Sequence, residues 1–149
     1  MVVALALAAC GPKEKMAFGI EDAFIRATPM KMTAGYALIT NNTAEDDALT
    51  GVTADWAGKF ELHTVTKDKD DVLSMTPVES IALPKGETIA LRSGGLHIMI
   101  FDVAAPLEVS ETRDAMLHFQ HAKPQKITFK VKPITYKGVG SDVDEHSGH

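Results

Sequence analysis

The sequence predicts an all-β domain of the β-sandwich type, and three observations support this prediction. Apolar segments of four to eight residues recur along the chain, turn-forming residues separate them, and the periodicity of amphipathic helices is almost absent. The length of 149 residues and the hydrophobic content of 45% suit one domain with a substantial core. Regular spacing of short strands is typical of a sandwich, but it does not distinguish an immunoglobulin-like arrangement from other types.

The N-terminal half contains five predicted strands. The first three are residues 20–27, 35–40 and 48–52. Each contains apolar or β-branched residues, and Asn41-Asn42 marks the turn that ends the second strand. Two further strands, residues 60–66 and 72–78, flank the polar run 67–71 and therefore predict a β-hairpin.

The C-terminal half continues the pattern with four more strands. These are residues 88–91, 96–102, 115–119 and 127–131. At the last strand Lys126, Lys130 and Lys132 alternate with apolar residues, which indicates a solvated strand face and edge protection. With a net charge of −5 and no basic face, the chain is not expected to bind nucleic acid.

We expect four parts in the chain: a signal segment at residues 1–10, a tether at 11–19, the β-sandwich domain at 20–136 and a flexible tail at 137–149. The first apolar run ends in Leu7-Ala8-Ala9-Cys10-Gly11, which looks like a bacterial lipobox and makes Cys10 the predicted lipidation site. An ordinary secretory leader is the alternative, because no Lys or Arg precedes the run, and we expect the true start upstream of Met1. The run is too short to span a bilayer, so no transmembrane helix is expected in the mature protein.

Four side chains form a candidate metal site: His63, Met75, His97 and Met99. Alternate residues of a strand share a face, so His97 and Met99 project together from strand 96–102. If Thr66 pairs with Val72 around the loop, His63 falls directly opposite Met75 in the hairpin. One hairpin and one strand then supply two imidazoles and two thioethers to a single ion.

The types of ligand predict the metal. Thioether sulfur is soft and selects Cu(I), whereas Zn²⁺ prefers thiolate, imidazole or carboxylate ligands. The candidate set contains no thiolate, which excludes a blue-copper electron-transfer site. Methionine ligands also suit an oxidising compartment, where cysteines form disulfides. We therefore expect Cu(I) to be the bound metal.

With this ligand spacing the chain resembles the PCuAC family of periplasmic copper chaperones. Eleven residues separate His63 from Met75 and twenty-one separate Met75 from His97, against ten and twenty-one in the family signature. The matching segments are residues 24–29 (FIRATP), 34–36 (AGY), 58–64 (GKFELHT), 75–79 (MTPVE) and 94–99 (GGLHIM). There are two departures: the extra residue, which we place in the loop 67–71, and Val65, where many members have a second Met.

The resemblance implies a cupredoxin-like Greek-key β-sandwich and a non-enzymatic, periplasmic Cu(I) chaperone. It further implies delivery of copper by ligand exchange toward the Cu(A) centre of cytochrome c oxidase. The expected partner is a copper-accepting oxidase subunit or a thioredoxin-fold copper chaperone. We expect the protein itself to be a monomer that meets the membrane only through its lipid anchor.

Other His and Met residues give weaker signals. Met30 and Met32 form either a soft auxiliary patch or ordinary loop surface, and His118 and His121 are predicted to be surface residues. His146 and His149 lie among acidic residues of the tail and form a predicted secondary site for Cu(II).

No enzymatic function is indicated by the sequence. It has no G-x-S-x-G elbow, P-loop or G-x-G-x-x-G motif, and no cysteine within residues 20–136. The alternative to copper delivery is a lipid-anchored β-sandwich that binds other proteins, with incidental His and Met residues. Tight binding of one Cu(I) ion separates these two functions.

Overall fold

The computed structural model describes residues 16–139. All regular secondary structure in this range is β-strand. The ten strands are β1 (Phe18–Arg26), β2 (Met32–Asn41), β3 (Asp47–Thr53), β4 (Ala57–Lys67), β5 (Leu73–Val78), β6 (Ile81–Leu83), β7 (Thr88–Leu91), β8 (His97–Val103), β9 (Thr112–Phe119) and β10 (Gln125–Lys132). No helix within residues 16–139 is long and apolar enough to cross a membrane. The all-β prediction is confirmed.

The strands follow one hydrogen-bonded path in the order β5, β4, β8, β2, β1, β10, β9, β3 and β6. Its neighbours are antiparallel except β1 and β10, which run parallel. The first half of β2 pairs with β8 and its second half pairs with β7. Strand β8 thus lies between β2 and β4, and three of the four candidate metal ligands lie on β4 and β8, while Met75 lies on β5 at the edge.

The core receives apolar side chains from every strand except β5, which contributes only the partly buried Val78. Strand β10 shows how the sequence pattern produces this, because Ile127, Phe129 and Val131 are buried while Lys126 and Lys130 are exposed. Each fully buried large apolar side chain contributes about 1.5–3 kcal/mol relative to an exposed one. The predicted solvated face of this strand is confirmed for the two exposed lysines.

Each predicted strand overlaps an observed strand, and the ends differ by at most three residues. Only β6 was not predicted. It has three residues, Ile81–Leu83, which is too short for an alternating pattern to be recognised. It is defined by its pairing with β3, in which Ile81 lies opposite Leu49.

The register of the β4–β5 hairpin differs from the predicted one. His63 lies opposite Pro77, and Val65 lies opposite Met75. The predicted direct pairing of His63 with Met75 is therefore wrong by two residues. Since a shift of two preserves the side-chain alternation, Met75 still lies on the same face of the hairpin as His63, in a diagonal position.

The hairpin loop explains this shift. Lys67 pairs with Leu73, so the loop consists of residues 68–72, one position later than predicted. The side chain of its first residue, Asp68, holds the loop in this position. The Asp68 carboxylate accepts hydrogen bonds from the N–H groups of Asp70 and Val72 at 2.8 and 3.0 Å. Asp71 takes the left-handed conformation with φ of 62°, which Asp tolerates better than most residues.

The domain's contacts extend beyond residues 20–136 at both ends. Phe18, within the segment predicted as a tether, stacks on Phe119 with 3.9 Å between ring centroids. Its backbone N–H and C=O also form hydrogen bonds of 3.2 and 2.7 Å with the side chain of Gln125. At the other end the Val139 N–H donates to the Asp22 carboxylate at 2.6 Å.

Candidate metal centre

The two predicted histidine ligands face each other on neighbouring strands. His63 on β4 and His97 on β8 are direct cross-strand partners, and their ring centroids are 5.7 Å apart. Next to them in sequence, Leu62 and Ile98 point into the core. The two imidazoles therefore lie on the opposite face of the sheet, although His63 is only 8% and His97 only 2% exposed.

The tautomer of His97 follows from its backbone partner. Its Nδ1 atom lies 2.8 Å from the carbonyl oxygen of Gly95, and a carbonyl only accepts hydrogen bonds. The proton of the neutral ring is therefore on Nδ1, and Nε2 carries a free lone pair. This Nε2 atom is buried and has no hydrogen-bond partner. A buried imidazole nitrogen in this state is the form that binds a metal ion.

The tautomer of His63 is fixed by a carboxylate. Its Nε2 atom lies 2.7 Å from Glu61 Oε2, while its Nδ1 atom is buried without a hydrogen-bond partner. Hydrogen bonds from Lys59 and then from His63 lower the pKa of Glu61 below its ordinary value, so this side chain is an ionised acceptor at neutral pH. The proton therefore belongs on Nε2, and Nδ1 is the donor atom available to a metal.

Met99 completes a three-residue cluster on this face. It lies two residues after His97 on β8, and its cross-strand partners are Glu61 on β4 and Ala34 on β2. Met99 is only 8% exposed but does not belong to the hydrophobic core on the other face. The structure thus places two imidazoles and one thioether on the same face of two neighbouring strands.

Met75 lies at the edge of this cluster. Its strand, β5, is the last strand on this side of the sheet, and the Met75 side chain is 62% exposed. Its position diagonal to His63 places its thioether on the ligand face, on the side nearer the hairpin loop. The structure therefore shows Met75 as the exposed member of the predicted set, while the three other residues are buried.

Aromatic side chains surround the two histidines. The ring centroid of Tyr36 is 6.4 Å from that of His97, and the ring centroid of Phe101 is 6.5 Å from that of His63. The Arg26 guanidinium lies 5.3 Å from the Tyr36 ring centroid on the side of β1. These groups limit the access of water to the imidazoles and strengthen electrostatic interactions in the cluster.

Two supporting groups were not predicted from the sequence. Glu61 fixes the tautomer of His63, and the Gly95 carbonyl fixes that of His97. Glu61 had a local signal, since residues two apart in a strand share a face. The Gly95 contact had none, because it depends on how the turn before β8 folds back toward the ring.

The remaining predicted residues lie apart from the cluster or outside the described range. Met32 is 46% exposed and shares the ligand face, opposite Phe101, whereas Met30 is 66% exposed in the preceding loop. His118 is partly buried, and its Nε2 atom lies 2.7 Å from Thr53 Oγ1 in an exposed hydrogen bond. His121 is exposed, as predicted. Cys10, His146 and His149 lie outside residues 16–139.

The fold is that of PCuAC domains, a cupredoxin-like β-sandwich. The copper-bound PCuAC domain from PmoF2 is similar with a TM-score of 0.66 and 21% identity, over 78% of this chain and 93% of that one. The solution structure of Cu(I)-DR1885 from Deinococcus radiodurans gives a TM-score of 0.60 and 25% identity, over 80% of this chain and 83% of that one. The predicted fold class and the resemblance to PCuAC domains are confirmed.

The chain belongs to the LpqE-like family, described as "Putative lipoprotein LpqE-like", which matches residues 19–131. A relative from Leifsonia xyli subsp. xyli (strain CTCB07), "Putative lipoprotein Lxx21020", is 29% identical over 132 residues. The aligned region covers 83% of this chain and 79% of that protein. The family match spans eight of the ten strands in full, β2 to β9, and nearly all of β1 and β10, including the whole candidate metal centre.

Proposed function

We propose that this protein binds one Cu(I) ion and delivers it to an acceptor protein. The observation that carries the proposal is a pair of buried imidazole nitrogens without hydrogen-bond partners, His63 Nδ1 and His97 Nε2, on rings whose centroids are 5.7 Å apart. Leaving a buried polar atom unpaired costs about 1–3 kcal/mol, so two such atoms on neighbouring rings need a compensating interaction. Coordination of a metal ion by both lone pairs supplies it.

The neighbouring thioether supports copper as this metal. Met99 adds a soft, neutral donor to two neutral imidazoles, and the exposed Met75 offers a second thioether on the same face. Such a donor set matches Cu(I) and offers little to Zn²⁺. The names of the similar structures, a copper-bound PCuAC domain and Cu(I)-DR1885, agree with this choice.

Transfer of the ion is proposed to occur by ligand exchange. The three buried ligands hold Cu(I) without adding negative charge, and Met75 is the ligand that an acceptor reaches first because its side chain is exposed. An acceptor with thiolate ligands can then replace the ligands one at a time. No change in the oxidation state of copper is required, so the protein acts as a carrier and not as an enzyme.

The proposed location is the outer side of the cytoplasmic membrane, with Cys10 as the lipidated residue. The lipoprotein description of the family and of the Leifsonia relative supports this location. The resemblance to PCuAC proteins further suggests delivery in the periplasm toward the Cu(A) centre of cytochrome c oxidase. An oxidase subunit or a thioredoxin-fold copper chaperone is the proposed recipient.

An anaerobic competition titration with a Cu(I) chelator tests the proposal. The wild-type protein should bind one Cu(I) ion, and Met99→Leu should weaken binding by more than about a hundredfold, because even indirect support of a metal ligand is worth about 10–100-fold. Leu keeps most of the Met volume, so the fold should persist. Met116→Leu, at a 40% exposed Met on β9, is the matched control and should leave the affinity unchanged. Equal affinities of the two variants would remove Met99 from the site.

A further inference from the structure

A cationic cavity lies beside the candidate metal centre. It has a volume of about 510 Å³ and is lined by Arg26, Arg92, Ser93, Gly94, Ile134, Thr135 and Lys137. Three of these residues are cationic and none is acidic. They come from the end of β1, from the turn before β8 and from the segment after β10. This grouping contrasts with the net charge of −5 of the whole chain.

The three cations have no carboxylate partners in the described part of the chain. None of the ion pairs among residues 16–139 includes Arg26, Arg92 or Lys137. The Nε atom of Arg26 is buried without a hydrogen-bond partner. Asp22 lines an adjacent, smaller cavity, but its oxygens accept hydrogen bonds from the Tyr136 hydroxyl and the Val139 N–H.

Two sets of contacts link the cavity to the candidate metal centre. Gly94 lines it, and the carbonyl of the next residue, Gly95, holds the imidazole of His97. On the other side, the Arg26 guanidinium lies over Tyr36, whose ring is next to His97. The cavity and His97 therefore share neighbours on both sides, the Gly94-Gly95 turn and the Arg26–Tyr36 pair.

We propose that the cationic cavity is the docking site for carboxylate side chains on the acidic face of the copper acceptor. This inference rests on the proposed function. A protein partner is favoured over a small anion because exposed Ile134, at 72% exposure, adds an apolar contact at the rim. Interfaces commonly combine apolar contacts with arginine, and complementary charge speeds association with the correct partner. Since the chain as a whole is acidic, this local positive charge would also orient an acidic acceptor toward the metal centre.

The first test measures binding of a short oligoglutamate peptide, with oligoglutamine as the neutral probe, to the copper-free full chain at low ionic strength. The variant Arg92→Gln with Lys137→Gln removes two exposed cations that are not proposed copper ligands. Its affinity for oligoglutamate should fall roughly five- to tenfold, as expected for two partly solvated charge pairs. The control Lys85→Gln with Lys123→Gln removes the same charge from exposed positions elsewhere and should bind like wild type.

The second test measures transfer of Cu(I) from the loaded protein to a bis-cysteine peptide flanked by Glu or by Gln. Transfer to the Glu-flanked peptide should be faster for the wild type and the control variant but not for the cavity variant, and salt should abolish the difference. Because the oligoglutamate assay uses no copper, failure of the docking site and failure of Cu(I) binding give different results.

Three outcomes would overturn the docking proposal. Equal oligoglutamate binding by the cavity and control variants would show that only net charge matters. Displacement of oligoglutamate by equimolar inorganic phosphate would identify a small-anion site. Binding that appears only after removal of residues 141–149 would show that the chain's own acidic tail takes the place of the partner. Thermal unfolding of each variant confirms that the fold is retained.

Discussion

At the scale of single residues, the two histidines of the candidate centre have opposite tautomers, and each leaves one nitrogen free to bind a metal ion. His63 is protonated on Nε2 by its contact with a carboxylate, and His97 on Nδ1 by its contact with a carbonyl. The free lone pairs are therefore on Nδ1 of the first ring and Nε2 of the second. Fixing the tautomers before the metal arrives lowers the reorganisation needed for binding and orients each donor atom.

Substitution of Glu61 tests this role of the carboxylate. Glu61→Ala should lower the Cu(I) affinity by about 10–100-fold, the usual effect of losing a group that orients a metal-bound histidine. Glu61→Gln keeps an acceptor oxygen for His63 and should lose less. Glu79→Ala removes the same charge from an exposed position and is the control. If Glu61→Ala and Glu79→Ala bind Cu(I) equally well, Glu61 does not orient the ligand.

At the scale of elements, the β4–β5 hairpin determines the position of Met75, the fourth candidate ligand. The position of Met75 depends on the loop register, and Asp68 sets that register by closing residues 68–72. A strand pattern predicts which face a side chain occupies, but it does not predict where a five-residue loop begins. This explains why the face of Met75 was predicted correctly while its direct pairing with His63 was wrong.

Because Met75 is more exposed than Met99, we predict that the two methionines contribute unequally to Cu(I) affinity. Met75→Leu should lower the Cu(I) affinity less than Met99→Leu does, because Met75 is 62% exposed and Met99 is 8% exposed. Competition with a chelator under anaerobic conditions measures both affinities on one scale. An equal or larger loss for Met75→Leu would show that the hairpin closes over the ion and that Met75 belongs to the primary ligands.

At the scale of the whole molecule, the sequence predicted most of the fold because each strand carries its own pattern of apolar residues. The pairing of β4 with β8, which places His63 opposite His97, could not be predicted, since it joins strands that are distant in sequence. The same holds for Gly95 and its contact with His97. The candidate ligand set was therefore accessible from the spacing of residues, whereas the orienting contacts required the folded chain.

Asp47 forms hydrogen bonds with distant parts of the chain. From its pKa we predict how the free energy of unfolding varies with pH. Its carboxylate accepts hydrogen bonds from the N–H groups of Ala48, His121 and Ala122 at 2.8, 3.0 and 2.9 Å. Burial acts to raise the pKa of Asp47, but these hydrogen bonds outweigh it, and the pKa lies below its ordinary value. Its stabilising effect is thus complete above the unfolded pKa of about 3.9 and is lost as pH falls through the lower folded pKa.

Asp47→Asn should therefore lower the free energy of unfolding at neutral pH by about 1.5–3 kcal/mol, the range for hydrogen bonds to a charged group. The difference from wild type should shrink as pH falls below about 4, where the wild-type carboxylate begins to be protonated. Urea unfolding over a series of pH values measures this, with Asp70→Asn in the exposed hairpin loop as the control. A difference that does not vary with pH would contradict the role of the charge.

The C-terminal histidines lead to a separate prediction for the whole chain. Truncation after Gly140 removes His146 and His149 and should abolish Cu(II) uptake while one Cu(I) ion is still bound. The double variant His146→Ala with His149→Ala should behave in the same way, since it removes the imidazoles and keeps the acidic residues. Equilibrium dialysis with each oxidation state measures both sites, and loss of Cu(I) on truncation would place the tail in the primary site.

The most direct test of the central claim is nitrogen-15 NMR of the histidine side chains before and after addition of one equivalent of Cu(I). In the copper-free protein His63 should be protonated on Nε2 and His97 on Nδ1, as their partners require. Cu(I) should then shift His63 Nδ1 and His97 Nε2 strongly, while the protonated nitrogens of both rings keep their protons. Unchanged resonances of these two nitrogens, or binding through His63 Nε2 or His97 Nδ1, would contradict the proposed copper centre.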